Sequence, residues 1–252
     1  MFIDTHCHLT DDYVNGIDEY IKNANDAGCG VMICATADPH DIKPALEIAT
    51  THNNIFVTTG IHPDYTDQNP EEFLTDEILS NPLVVGVGEI GLDYHYSPQT
   101  RNQQIELFEK QLNIAYKHDM PVAIHTREAE EDTAHILTDK YHGVMHCFTS
   151  SWDLAKVMLD RGFYFSASGI LTFKNSESIR ETFAKIPTDR IVIETDAPYC
   201  APVPYRGKTC ESSMIIETAK VLATIKNLQI DDLEDILYEN TKRLYPKCHV
   251  KL

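Results

Sequence analysis

The chain has 252 residues, of which 42% are hydrophobic and 24% charged, which excludes a disordered chain and permits a sizeable core without disulfide staples. Lysine and arginine number 21 against 39 aspartates and glutamates, a formal net charge of −18. Such a surface repels polyanions at long range and excludes a general basic wrap around nucleic acid, so a phosphate-bearing substrate must be attracted locally.

The predicted elements alternate from end to end. "MFIDTHCHL" opens the first strand, with "FIDTH" at residues 2–6. Strand alternation puts Asp4, His6 and His8 on one face and Ile3, Thr5 and Cys7 on the other. "IDEYIKNANDAG" reads as a helix stopped at Gly28. The second strand follows at "VMICA" (31–35). "DPHDIKPALEIATTHN" reads as a helix with Asp38 as N-cap and Pro39 in its first turn. Strands then fall at residues 54–60, "NIFVTTG", and 83–89, "LVVGVGE".

The segment 104–118 carries Ile105, Phe108, Leu112 and Ala115 on one helical face. Further strands are expected at 121–125, 143–147, 162–168 and 190–195, with the helix "DLAKVMLDRG" stopping at Gly162. Two helices within 211–245 close the last repeat. Val- and Ile-rich runs of this kind are the composition of parallel strands covered on both faces. Eight of them alternating with helices predict one (β/α)8 TIM-type barrel spanning 1–252 as a single domain; an open doubly wound sheet has the same periodicity.

Five predicted strands end in a residue able to bind a metal: His6 and His8, Glu89, His125, His146 and Asp196. In such a barrel these ends open on one face, so six distant residues converge. Imidazole and carboxylate donors suit Zn, Mn, Fe or Ni, and Mg less comfortably. Six ligands exceed the three of an open catalytic zinc site and suit two divalent ions. Glu89 is the natural bridge because a carboxylate offers two oxygens. His6, His8 and Asp196 are expected on one ion, and His125 and His146 on the other. His62 follows a strand on the same face and is expected to touch substrate or support the ligands; His95 has a weaker claim. His40, His52, His118, His135, His142 and His249 read as solvated.

The motifs "DTHCHL", "GEIGLDYH", "AIHTREA", "HCF" and "ETDAPYCAP…RGK" resemble, in order and across essentially the whole chain, the TatD family of metal-dependent deoxyribonucleases, within the amidohydrolase-like barrels. The resemblance implies the same six metal ligands and two divalent ions (Mg, Mn or Zn). It also implies cleavage of DNA phosphodiesters, as a 3'-5' exonuclease acting on single strands or strand ends. The chain departs from the family pattern at Asp64, where a second histidine is usual, and at "RGKTCESS" and "HCFTSS".

On this reading Asp196 is also catalytic, orienting the attacking water as base. Arg127, Arg206 and Lys208 are rim cations suited to phosphate, and Tyr199 is placed to stack on a base. Another hydrolase on the same barrel, acting on an amide, lactone or aminoacyl ester, is the nearest rival. A scaffold with a vestigial site is the second, although all six ligand positions are filled.

Seven cysteines without a CxxC spacing point to a reducing compartment, and Cys7 and Cys147 read as small core residues. No leader-like start and no apolar run of about 18 residues are present, which predicts a cytoplasmic protein without a membrane partner.

Overall fold

Residues 1–9 and 16–248 are described in the computed structural model of the chain, so His249 lies outside the described residues. The eight strands are β1 (Phe2–Cys7), β2 (Cys29–Ala35), β3 (Ile55–Thr59), β4 (Val84–Asp93), β5 (Val122–Arg127), β6 (Gly143–Met145), β7 (Tyr164–Ala167) and β8 (Ile191–Ile193). They form one parallel sheet in sequence order from β1 to β8. The sheet closes just beyond β8, where the Asp196 amide donates to the His6 carbonyl (2.9 Å) and the His8 amide to the Ala197 carbonyl (2.6 Å). The fold is a (β/α)8 barrel, as the alternating pattern predicts.

Helices follow the strands around the outside: α1 (Ile17–Asp26), α2 (Ile42–Thr51), α3 (Pro70–Phe73), α4 (Asp76–Ser80), α5 (Arg101–Lys117), α6 (Glu130–Ile136), α7 (Trp152–Asp160), α8 (Glu177–Lys185), α9 (Ile215–Lys226) and α10 (Ile230–Leu244). Asp38 caps a separate 3-10 turn, Pro39–Asp41, rather than α2 itself, with its carboxylate accepting from the His40 amide. A proline at 39 and another at 44 keep these two turns distinct from a single longer helix.

Alternation sorts the apolar side chains into two cores. Ile3, Val31, Phe56, Val85, Ala123, Val144, Tyr164 and Val192, one from each strand, pack inside the barrel against Leu244, Tyr245 and Cys248. Their neighbours, including Phe2, Met32, Val57, Val84, Ile124, Met145, Phe165 and Ile193, face the helices. Tyr245 just after α10 thus fills one end of the barrel, leaving the carboxyl ends of the strands for polar residues.

Two strands break the alternation. In β1 Phe2 and Cys7 both lie in the outer core although five residues apart, and the pairing register with β2 shifts between Asp4 and Cys7. This corrects the expected common face of Asp4, His6 and His8. Asp4 turns outward to Thr195 and Ser212, while His6 and His8 turn inward. A second shift, between Val87 and Ile90 of β4, accompanies the inward placement of Glu89.

Candidate metal centre

The site is built around the Glu89 carboxylate, which is buried on β4 and faces imidazoles with both oxygens. Its Oε2 lies 3.5 Å from His6 Nε2 and 3.7 Å from His8 Nε2. Its Oε1 lies 2.7 Å from His125 Nδ1 and 3.0 Å from His146 Nε2. Asp196, half-buried beyond β8, brings Oδ1 to 3.6 Å from His8 Nε2 and 3.9 Å from His6 Nε2. All six residues expected at strand ends therefore meet in one place.

Three of the four rings around Glu89 are aimed by a contact on the far side. His8 Nδ1 lies 3.0 Å from the Ala35 carbonyl, His125 Nε2 3.1 Å from Asp93 Oδ2, and His146 Nδ1 3.0 Å from Glu194 Oε1. Contacts of this kind fix the tautomer and orientation of a ligating histidine. Asp93 is itself pinned by the His95 and Tyr96 amides, and Glu194 by the Cys147 amide. Neither Asp93 nor Glu194 was expected at the site. The signal was in the sequence: Asp93 stands four residues after Glu89 on an unusually long strand, and Glu194 shares the face of Asp196 two residues on.

The charges are tightly coupled. Burial raises the Glu89 carboxyl, but His146, His125 and His6 reverse this and hold it well below the usual range. Burial lowers His125, yet hydrogen bonds to Asp93 and Glu89 push it up to about 9. Asp93 is correspondingly held at about 2, its hydrogen bond to His125 outweighing burial. His6 goes the other way, lowered by burial and by His146, against which it stacks at 3.8 Å.

His6 is the telling residue. It is 1% exposed, and neither ring nitrogen has a hydrogen-bond partner among the described residues. A buried imidazole that makes no hydrogen bond is costly, and a neutral one with a nitrogen facing two carboxylates is chemically able to bind a cation. The donor set fits divalent cations. His6, His8 and Glu89 offer ligand atoms within 4.8 Å of one another, and so do Glu89, His125 and His146, and His6, His146 and Asp196.

His62 joins the site, its Nε2 3.8 Å from Glu89 Oε1 and its ring edge-on to His125 at 4.6 Å. Asp64 holds it, with Oδ2 3.2 Å from His62 Nδ1. Tyr199 is 61% exposed and sits edge-on to His8 at 6.0 Å. Arg127 lies over Tyr96 at 4.7 Å, Arg206 over Phe173 at 3.8 Å and Lys208 over Tyr205 at 5.6 Å, all exposed at the strand-end loops. His95 is exposed and pairs with Glu128 at 2.6 Å. His40, His52 and His118 each lie against a carboxylate at the surface, while His135 and His142 are exposed. Cys7 is buried as expected, but Cys147 is half-buried at the mouth of the site.

The family model described as TatD related DNase matches residues 3–246. The chain belongs to this family. Among TatD relatives, the "Uncharacterized metal-dependent hydrolase YcfH" of Escherichia coli (strain K12) is 35% identical, covering 96% of this chain and 95% of its own. The "Uncharacterized metal-dependent hydrolase YabD" of Bacillus subtilis (strain 168) is 34% identical over 97% and 99%. The crystal structure of YJJV, a TatD homolog from Escherichia coli K12, superposes with a TM-score of 0.89 at 26% identity, covering 97% and 98% of the two chains. No helix among the described residues of this TatD chain is long and apolar enough to cross a membrane.

Proposed function

We propose that the protein is a metal-dependent hydrolase that cleaves DNA phosphodiesters with two divalent ions, Mg, Mn or Zn, bound at this site. The observation that carries the reading is the two-sided Glu89 carboxylate, with His6 and His8 at one oxygen and His125 and His146 at the other. His6, His8 and Asp196 would hold one ion, His125 and His146 the other, with Glu89 between them. Family membership and two relatives named as metal-dependent hydrolases support it. Ions held there would make a water nucleophile available near neutral pH and stabilise charge on the phosphate oxygens.

The remaining work falls to the chain. Attack of water on phosphorus forms one P–O bond and breaks the ester P–O bond in line. Burial pushes the Asp196 carboxyl up, but the imidazoles of His8, His146 and His6 hold it below its ordinary value. It is therefore ionised at neutral pH, and it orients the water and accepts its proton. Arg127, Arg206 and Lys208 take the phosphates of the strand, Tyr199 stacks on a terminal base, and His62 contacts the substrate beside Glu89. Local cations of this kind offset the repulsion between a chain of net charge −18 and a polyanion. A single strand or strand end suits a site gathered at one end of a closed barrel. Its free thiols suit a reducing, cytoplasmic setting.

The test is a panel of single-stranded DNA, RNA and small carboxylic esters, each with and without Mg or Mn, using wild type and Asp196→Asn. Metal-dependent release of nucleotides from DNA, lost by at least about a hundredfold in the folded variant, is the expected outcome. Turnover of the esters alone would replace DNA with a carbonyl substrate on the same barrel. Undiminished activity in Asp196→Asn would remove Asp196 as base.

A further inference from the structure

Of the seven cysteines, five are buried and two, Cys147 and Cys200, are half-buried. These two come from different strand ends: Cys147 follows His146 after β6, and Cys200 lies in the turn after Asp196, beyond β8. Both have positive φ, 41° and 54°, and their sulfur atoms and a carboxylate oxygen of Asp196 all lie within 4.8 Å of one another. The Cys200 thiol donates to Asp196 Oδ2 at 3.3 Å, and the Cys147 thiol lies 3.1 Å from Ser168 Oγ. Asp196 Oδ1 faces His6 and His8 instead. Asp196 is thus two-sided, with imidazoles at one oxygen and sulfur at the other.

We propose that Cys147, Cys200 and Asp196 Oδ2 form an adjoining, sulfur-lined cation site, sharing Asp196 with the main centre, that takes a thiophilic divalent ion such as Zn or Cd and, when filled, inhibits hydrolysis. Two sulfurs, one carboxylate oxygen and a water complete the tetrahedral set that zinc prefers. Mg and Mn favour oxygen donors and pass such a site by. On binding, each thiol yields its proton to solvent and its sulfur forms a bond to the ion. The inhibition rests on the function proposed above, because the ion engages the carboxylate that the reaction needs as base. The binding does not rest on it.

The experiment titrates the Mn-loaded protein with CdCl2, following sulfur-to-cadmium charge-transfer absorption in the ultraviolet together with cleavage of a labelled single-stranded oligodeoxynucleotide. One sulfur-bound cadmium per chain is expected, saturating in step with loss of activity and reversed by chelation and fresh Mn. In Cys200→Ser and Cys147→Ser the band should vanish and half-inhibition should need at least about tenfold more cadmium, measured relative to each variant's own uninhibited rate. No band in the wild type overturns the site. A band without inhibition, or equal inhibition in the serine variants, overturns the regulatory role. If no substrate is cleaved at all, the band still decides the site, and only the proposed function fails.

Discussion

Asp4 and Glu89 are both fully buried carboxylates, and their surroundings set them apart. Burial pushes both upward. Around Glu89 the imidazoles win and the group stays charged. Around Asp4 burial prevails over the hydrogen bonds from Ser212, Thr195 and the His6 amide, raising it from 3.8 to about 7. Its folded value exceeds its unfolded value, so the protonated form is favoured in the fold. The stabilisation is therefore complete below pH 3.8 and is lost as pH rises through about 7. At most one proton is linked, which limits the slope to about 1.4 kcal/mol per pH unit. Asp4→Asn should remove that slope: in chelator, the denaturation midpoint of wild type relative to the variant should fall between pH 4.5 and pH 8, measured on the order of every half unit. Parallel curves would contradict the assignment. At this scale the sequence made the six strand-end residues legible, because each falls where an apolar run stops. Asp4 was misplaced because ideal alternation carries no mark of the register shift that follows it.

Elements were the most legible level, for all eight strands overlap the runs from which they are predicted, seven of them carrying Val or Ile and β7 built on the aromatic run "YFSA". What the pattern missed was length. β4 runs on to Asp93 through "IGLD", where glycine obscures the apolar run, and those extra residues deliver the carboxylate that orients His125. Gly91 in this stretch has φ 147° and pairs directly with His125, and a Cβ there would stand 1.9 Å from the His125 carbonyl oxygen. Only glycine fits so close an approach. Gly91→Ala should cost about 3 kcal/mol or more and shift His125 off its ligand geometry. Thermal unfolding checks the first effect, and metal content the second. An unchanged melting temperature would show that the strand yields at no cost.

For the molecule as a whole, the two ends of the barrel do different work. One end is apolar and closed by Tyr245, which is fully buried and whose hydroxyl has no hydrogen-bond partner among the described residues. Tyr245→Phe should therefore be neutral or stabilising, since it removes an unsatisfied polar atom. Tyr245→Ala should cost about 3–5 kcal/mol by opening a cavity. Chemical denaturation separates the two, and a large loss in the phenylalanine variant would reveal a partner for the hydroxyl. The sequence announced two closing helices but not this plug, because nothing in a helical period says which end residue enters a barrel. The other end gathers Glu89 and its imidazoles, and here the charge that the chain avoids elsewhere in its core is concentrated.

The account turns on that gathering being a two-ion centre. Metal content by elemental analysis, on protein purified without chelators and on Glu89→Gln, tests it most directly. Two divalent ions per chain in the wild type, falling to one or fewer in the variant, is the predicted result. Metal-free wild type, or the same occupancy with glutamine at position 89, would contradict it.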